Sequence, residues 1–392
     1  MKNYLIATIN EQIERGRCLK SLIPHPVKYA ELCGLSERCK RLIDDHTYFL
    51  QNLLLELRKR DDEDVRDILR GLRDCTRNIE LVEAFGIPVL YSHNTEEMEY
   101  LNKLVFEIYQ EINYPLDHPA VACISTTADY YYYSSDTHVI FVPLSEPYFL
   151  RHLPDIFHEL GHSVLINLGN HQRLNSLNSN CKEIIMVVTE HYKVEITKTM
   201  RETCPKDYTY LLRHLHDQWK NYWLEEFLSD LFALYTLGPA YAYSHLHLTT
   251  KKSEDIYNFS NVAPQTHPSD DARMKMLCIG LQQLGFDEVT KDITSKWDKM
   301  PFVTAAQPPI DYEHAYPERM MIEIAKLFLK GLKESKFPII TPTELSNLNE
   351  ESVRKTLNTA WKTFWDNPNE YRNWEEKKIK QLKGSFIKTS HI

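Results

Sequence analysis

The sequence predicts a mostly α fold, α+β in class, with one small sheet, and three observations point there. Glycine is scarce, 11 in 392 residues, which works against Gly-rich loops, propellers and collagen-like repeats. Apolar residues recur at helical spacing towards both ends of the chain. Only two short runs in the middle are rich in β-branched residues.

Near the start, Leu42, Phe49, Leu50, Leu53, Leu54 and Leu57 recur at three and four, and Val65, Ile68, Leu69 and Leu72 continue the pattern. The acidic break Asp61-Asp62-Glu63-Asp64 fits the first turn of a new helix, where negative charge meets the dipole. Gly86, Pro88 and Ser92 mark the exit from this helical region. The strands are Ala120 to Ile124 and His138 to Val142. Between them lie Tyr130 to Tyr133 and a turn, Ser134-Ser135-Asp136. The tyrosines either alternate across an edge strand or line a substrate groove. Helices return from Pro154 to Gly285. Beyond residue 310 the chain is helical and charged, with Pro317 as a first helical residue ahead of Met320, Met321 and Ile324. The expected organisation is a helical region over 1–95, a core over 96–290 and a helical region over 291–392.

Charge and composition exclude several functions. A net charge of −9 argues against nucleic acid, whose phosphates need clustered cations. Residues 351–392 carry nine Lys/Arg against five Asp/Glu, which reads as a solvated helix face. No apolar run is long enough to span a bilayer. The N-terminal apolar stretch is too short for a signal-peptide core, and the eight cysteines form no C-x-x-C pair. Both point to a reducing, cytoplasmic setting.

One string carries chemistry: His158-Glu159-Leu160-Gly161-His162. Pro154 and Asp155 open a helix there and Gly169 closes it. Residues i and i+4 share a helix face, so both imidazoles can ligate one ion. Glu159, one step round, is placed to act as general base without being a ligand. The bland alternative is a histidine pair on a partly buried helix. Ile156, Phe157, Leu160, Val164 and Leu165 make this a core helix, where two adjacent-turn histidines need a partner. Gly161 costs about 1 kcal/mol of helix propensity, which suggests that something packs close to it.

Leu165 and Leu168 stand where a metzincin would have Gly and His, so a third ligand comes from elsewhere. Glu226 and Asp230 are again i and i+4, on a helix ending at Gly238-Pro239. Glu226 would ligate the metal, and Asp230 would hold the outer N–H of a ligand histidine. Glu225 points elsewhere, as a surface charge. Glu190, His191 and Glu195 are rivals on another helix. Thr266-His267-Pro268 then precedes a helix carrying Arg273. His267 there could donate to a tetrahedral oxyanion while Arg273 fixes the loop, or Ser269 and Asp270 simply cap a helix beside a stray His.

Taken in order, these three elements resemble the gluzincin metallopeptidases, most of all the family of CAAX prenyl proteases and HtpX. Its pattern is HExxH, then Glu-x-x-x-Asp, then Thr-His-Pro with an Arg six after the His. Matching residues are His158, Glu159, His162; Glu226, Asp230; and Thr266, His267, Pro268, Arg273. The resemblance covers roughly 139–285. It implies a zincin-type core with a small mixed sheet and an active-site helix, flanked by helical regions. It also makes Val139 to Val142 an edge strand along which an extended peptide lies. Unlike those membrane-embedded relatives, this chain has no spanning segment. The resulting expectation is a soluble endopeptidase holding one zinc ion per chain, with peptide or protein substrates. The helical flanks leave room for a regulatory partner or for self-inhibition. The rival reading is a non-catalytic zinc sensor or scaffold, which has no use for Glu159.

Overall fold

The computed structural model describes residues 2–24, 32–59, 66–92, 96–124, 131–143, 146–201, 206–251, 255–260, 263–301 and 306–389. It is 77% helical with one three-stranded sheet, so the class is mostly α. The chain divides into two compact units, Met1–Phe106 with Asp117–Pro147, and Glu107–Leu116 with Tyr148–Ile392.

The first unit holds α1 (Lys2–Leu22), α2 (Cys33–Lys59), α3 (Arg66–Leu81), α4 (Ile87–Ser92) and the start of α5 (Glu96–Glu111). The leucines of α2 behave as their spacing predicts: Leu50, Leu53, Leu54 and Leu57 are buried, while Phe49 is exposed. Gly86 and Pro88 do not end the helical region. A π-helical turn, Val82–Gly86, joins α3 to α4, so Pro88 lies in the first turn of α4, where a missing N–H is tolerated. The acidic break Asp61 to Asp64 lies outside the described residues, as does Tyr130.

The same unit carries the sheet: β1 (Ala120–Ile124), β2 (Tyr132–Ser134) and β3 (Val139–Pro143), in the order β1-β3-β2. β3 pairs parallel with β1 and antiparallel with β2. Val139 to Val142 is therefore the middle strand and offers no edge to a peptide, contrary to the sequence expectation. Its ladder to β1 runs the full strand, Val139 to Phe141 pair with β2 on the other side, and Val139, Ile140, Phe141 and Val142 are all buried, as suits a strand covered on both faces. Of the tyrosines, Tyr132 and Tyr133 lie in the edge strand β2, where Tyr132 stacks on its cross-strand partner Phe141 at 4.7 Å.

The second unit contains α6 (Asp155–Ile166), α7 (Asn175–Arg201), α8 (Lys206–Gln218), α9 (Leu224–Leu237), α10 (Pro239–Lys251), α11 (Asp270–Gln283) and α12 (Asp287–Trp297). It continues through α13 (Tyr312–Ala315), α14 (Glu318–Glu334), α15 (Pro342–Asn347), α16 (Val353–Asp366) and α17 (Pro368–Thr389). Two helix ends differ by small steps from the sequence reading. α6 stops at Ile166, before Gly169, and Pro317 caps α14 from outside rather than opening it. Among the described residues no helix is long and apolar enough to cross a membrane.

His138 links the sheet turn to a testable pH dependence. It has a positive φ of 57°, and it is buried. The Tyr133 hydroxyl donates to its Nδ1 at 2.5 Å, and Nε2–H donates to the Asp117 carbonyl at 2.6 Å. Burial pushes its pKa from 6.5 down to about 4, against the raising effect of the Asp117 contact. The folded state therefore resists a proton that the unfolded state accepts. Stability is full above about pH 6.5 and falls towards pH 4, by up to about 3 kcal/mol. His138→Asn keeps a residue that tolerates positive φ and removes the titration. Urea unfolding across this pH range should fall less steeply in the variant; parallel curves would refute the assignment.

Candidate metal centre

α6 is placed by its apolar side chains and by one close approach. Ile156, Phe157, Leu160 and Val164 are fully buried, and the Tyr114 hydroxyl donates to Ser163 Oγ at 2.7 Å. A Cβ on Gly161 would lie 2.8 Å from Ser229 Cα, so the backbones of α6 and α9 meet where any larger residue would hold them apart. That contact is what the glycine in the motif is for.

α9 is buried at every position except Glu225. A π-helical turn, Trp219–Trp223, leads into it, and its indoles anchor the neighbourhood. Trp219 Nε1–H donates to the Ala315 carbonyl at 2.7 Å and Trp223 Nε1–H to the Gln265 carbonyl at 3.1 Å. The second bond ties the loop ahead of His267 to the start of α9. Gly238, at φ 92°, ends α9 and turns the chain directly into α10.

The three elements converge as follows. His158 Nε2 and His162 Nε2 lie 3.0 Å apart. The Glu226 carboxylate is 3.5 Å from each of these nitrogens. Among the described residues these three side chains form the one group able to hold a metal, with ligand atoms within 4.8 Å of one another. Ligand atoms around a tetrahedral zinc with bonds of about 2.0–2.1 Å stand about 3.3 Å apart, close to the separations seen. Glu226 Oε2 is buried without a hydrogen-bond partner, the kind of orphaned acceptor that a cation satisfies. Two imidazoles and a carboxylate thus fit a divalent ion in both chemistry and spacing.

Around the ligands runs a buried network. Asp230 is fully buried. Arg273 donates to both of its oxygens, at 2.9 and 2.6 Å. His158 Nδ1 is 2.9 Å from Asp230 Oδ1, so Asp230 faces the nitrogen of His158 that points away from His162 and Glu226. Arg273 reaches further than the loop: Nη1 is also 3.8 Å from Glu226. Burial works against charge on every member, yet the pairing wins. His158 is raised well above its ordinary pKa by Asp230 and Glu226. Despite its own burial, Glu226 is lowered by His158, His162 and Arg273. With both imidazoles neutral, Glu226 and Asp230 face the single guanidinium of Arg273. The centre is left short of positive charge, and a proton or a metal ion supplies it.

Glu159 is buried on α6 beside His158. His267 stands at the mouth with its side chain 64% exposed, and Nε2 is 3.7 Å from Glu226 Oε1. Thr266 Oγ1 contacts its Nδ1 at 2.9 Å. The cap of α11 is Ser269, whose side chain accepts from the Ala272 N–H. A small cleft of about 200 Å³ runs here, lined by Asp255, Asn258, Thr266, His267 and Arg273. Of the rival residues, Glu190 is exposed and paired with Lys193, and His191 and Glu195 are half-buried on α7.

Two residues of the site escaped the sequence reading. Glu225 is half-exposed but is no idle surface charge, because its Oε1 sits 3.0 Å from His162 Nδ1. It does for His162 what Asp230 does for His158. The other is Tyr241 of α10, whose hydroxyl lies 3.0 Å from His158 Nδ1. No residue spacing announces either contact.

Two substitutions test this geometry. Gly161→Ala gains helix propensity yet drives a methyl into the α9 backbone, so the net effect should be a loss of about 1–3 kcal/mol in urea unfolding. A stabilised variant would rule out the close approach. Glu225→Ala removes the acceptor for His162 Nδ1 and should weaken zinc binding about 10-fold in competition with a chelator. Glu225→Gln, which keeps an acceptor oxygen, should lose less.

Comparison with protein-family models, curated proteins and solved structures found no match to this chain.

Proposed function

We propose that the chain is a zinc-dependent endopeptidase of the gluzincin type. One observation carries the reading. Two imidazoles a helical turn apart and a buried, unsatisfied carboxylate oxygen converge on one point, on a helix that also bears Glu159. Nitrogen and carboxylate ligands together favour zinc over calcium or magnesium. The order of the motifs, shared with the CAAX protease and HtpX family, favours peptide bonds as the substrate. The free cysteines suit a reducing, cytoplasmic setting.

His158, His162 and Glu226 would hold the zinc, which would supply a Lewis acid and bring the pKa of a bound water near neutrality. Glu159 takes a proton from the attacking water as its oxygen bonds to the scissile carbonyl carbon. It passes that proton to the amine nitrogen as the C–N bond breaks. His267 Nδ1 lies 2.9 Å from Thr266 Oγ1, and its Nε2 is on the side of Glu226, where an Nε2–H can donate to the oxyanion. Its exposure leaves it within reach of a bound peptide. Arg273 keeps Glu226 and Asp230 ionised and fixed.

Purified protein should contain about one zinc per chain. Glu159→Gln should retain that zinc while losing nearly all cleavage of a mixed peptide library, read by mass spectrometry against the wild type. A variant as active as the wild type would remove Glu159 from the mechanism, and a wild type without zinc or cleavage would sink the reading.

A further inference from the structure

Tyr241 lies in the first turn of α10, just beyond the Gly238 corner, and is buried. Its ring stacks on that of His158, with centroids 5.9 Å apart and planes 14° from parallel. Three polar groups converge on its hydroxyl: Asp230 Oδ1 at 2.5 Å, His158 Nδ1 at 3.0 Å and Arg273 Nη2 at 3.2 Å.

Counting hydrogens decides who donates. A phenol has one proton, an ionised carboxylate only accepts, and a guanidinium only donates. The Tyr241 proton therefore goes to Asp230, and the phenol oxygen accepts from Arg273. Neither Asp230 Oδ1 nor the Tyr241 oxygen has a proton to offer to His158 Nδ1, which lies within 3.0 Å of both. Nδ1 must be the donor. The lone pair of the neutral ring is then on Nε2, the atom that faces His162 and Glu226.

We propose that Tyr241 is a positioning residue of the metal centre. By committing its proton to Asp230 and its oxygen to Arg273, it holds His158 in the Nδ1–H form and aims Nε2 at the ion. The inference rests on the reading of His158, His162 and Glu226 as zinc ligands, and adds a residue outside the motif pattern. Asp230 is within reach of Nδ1 as well and is gripped by Arg273 through both oxygens; the phenol adds a further bond to Oδ1, the oxygen that faces the ring, and stacks on the imidazole.

Tyr241→Phe keeps the stacked ring and removes the hydroxyl. Tyr243→Phe is the control: it deletes a comparable bond, the 2.8 Å donation from Tyr243 to Asp292, on the same helix. Zinc affinity is read by competition with a chelating dye, and ligand geometry by the visible spectrum of the Co(II)-loaded protein. Tyr241→Phe should bind zinc about 10-fold more weakly and shift the Co(II) bands, with Tyr243→Phe like wild type in both. Unchanged affinity and bands in a folded Tyr241→Phe overturn the proposal alone. A wild type that binds neither metal overturns the zinc reading and this proposal together. Should Tyr241→Phe not fold, the zinc-loaded wild type labelled with ¹⁵N-histidine decides. Long-range proton–nitrogen correlations must show His158 protonated at Nδ1 and metal-bound at Nε2, and the reverse assignment overturns the proposal.

Discussion

The carboxylate of Asp230 is sealed from water, and the centre is built around that charge. A buried ion without partners is costly enough that it would take up a proton instead. Here Arg273 binds it through two nitrogens, Tyr241 donates a third bond and the His158 ring supplies a fourth contact. Together these hold Asp230 well below the usual carboxylate range against its burial. Each partner comes from a different helix: α6, α10 and α11 all touch this one side chain of α9. The charge thus acts as a pin, because moving any of the four helices exposes it or leaves it unpaired.

The pin needs the helices to be close, and the Gly161 contact supplies that. Had α6 carried a side chain there, the imidazoles would stand further from Glu226, and the separations of 3.0 and 3.5 Å that suit a small divalent ion would widen. The two helices perform different parts. α6 brings both imidazoles and Glu159, while α9 brings three carboxylates in a six-residue span. Glu226 faces the imidazoles directly, and Glu225 and Asp230 hold the outer nitrogens of His162 and His158. Helical phase separates Glu226 from Glu225, which lie about 100° apart, and puts Glu226 and Asp230 on one face; the crossing of α6 over α9 sets which imidazole each one meets.

How much of this could be read from sequence follows from whether the determinant is local. The shared face of His158 and His162 on α6, and the turning of Glu226 rather than Glu225 towards both Nε2 atoms, depend on intrahelical spacing, which makes them legible in sequence. The bond from Glu225 to His162 depends on where α6 crosses α9, and Tyr241 depends on how α10 folds back after Gly238. Neither is encoded in any spacing. The sheet behaves likewise: its strands were visible as β-branched runs, but their order is a long-range pairing. A signal did exist, since an apolar run without alternation, Val139 to Val142, belongs in the middle of a sheet. Gly86 and Pro88 misled for the opposite reason. They are strong local breakers, and a π-helical turn absorbed them.

The two halves of the centre differ in contact with water. His158 and Asp230 form the closed side, with side chains 9% and 0% exposed. On the other side His162 is 15% exposed, Glu225 is 50% exposed and His267 stands at the mouth. A purely structural metal site closes all four positions with protein ligands. Among the described residues three donors converge here, and the wet residues border their open side. The buried network lies behind His158, on the closed side. The same asymmetry accounts for the unequal partners of the two histidines: a sealed ring needs a charge-balanced cage, whereas a ring at the opening is held by a carboxylate that water already solvates.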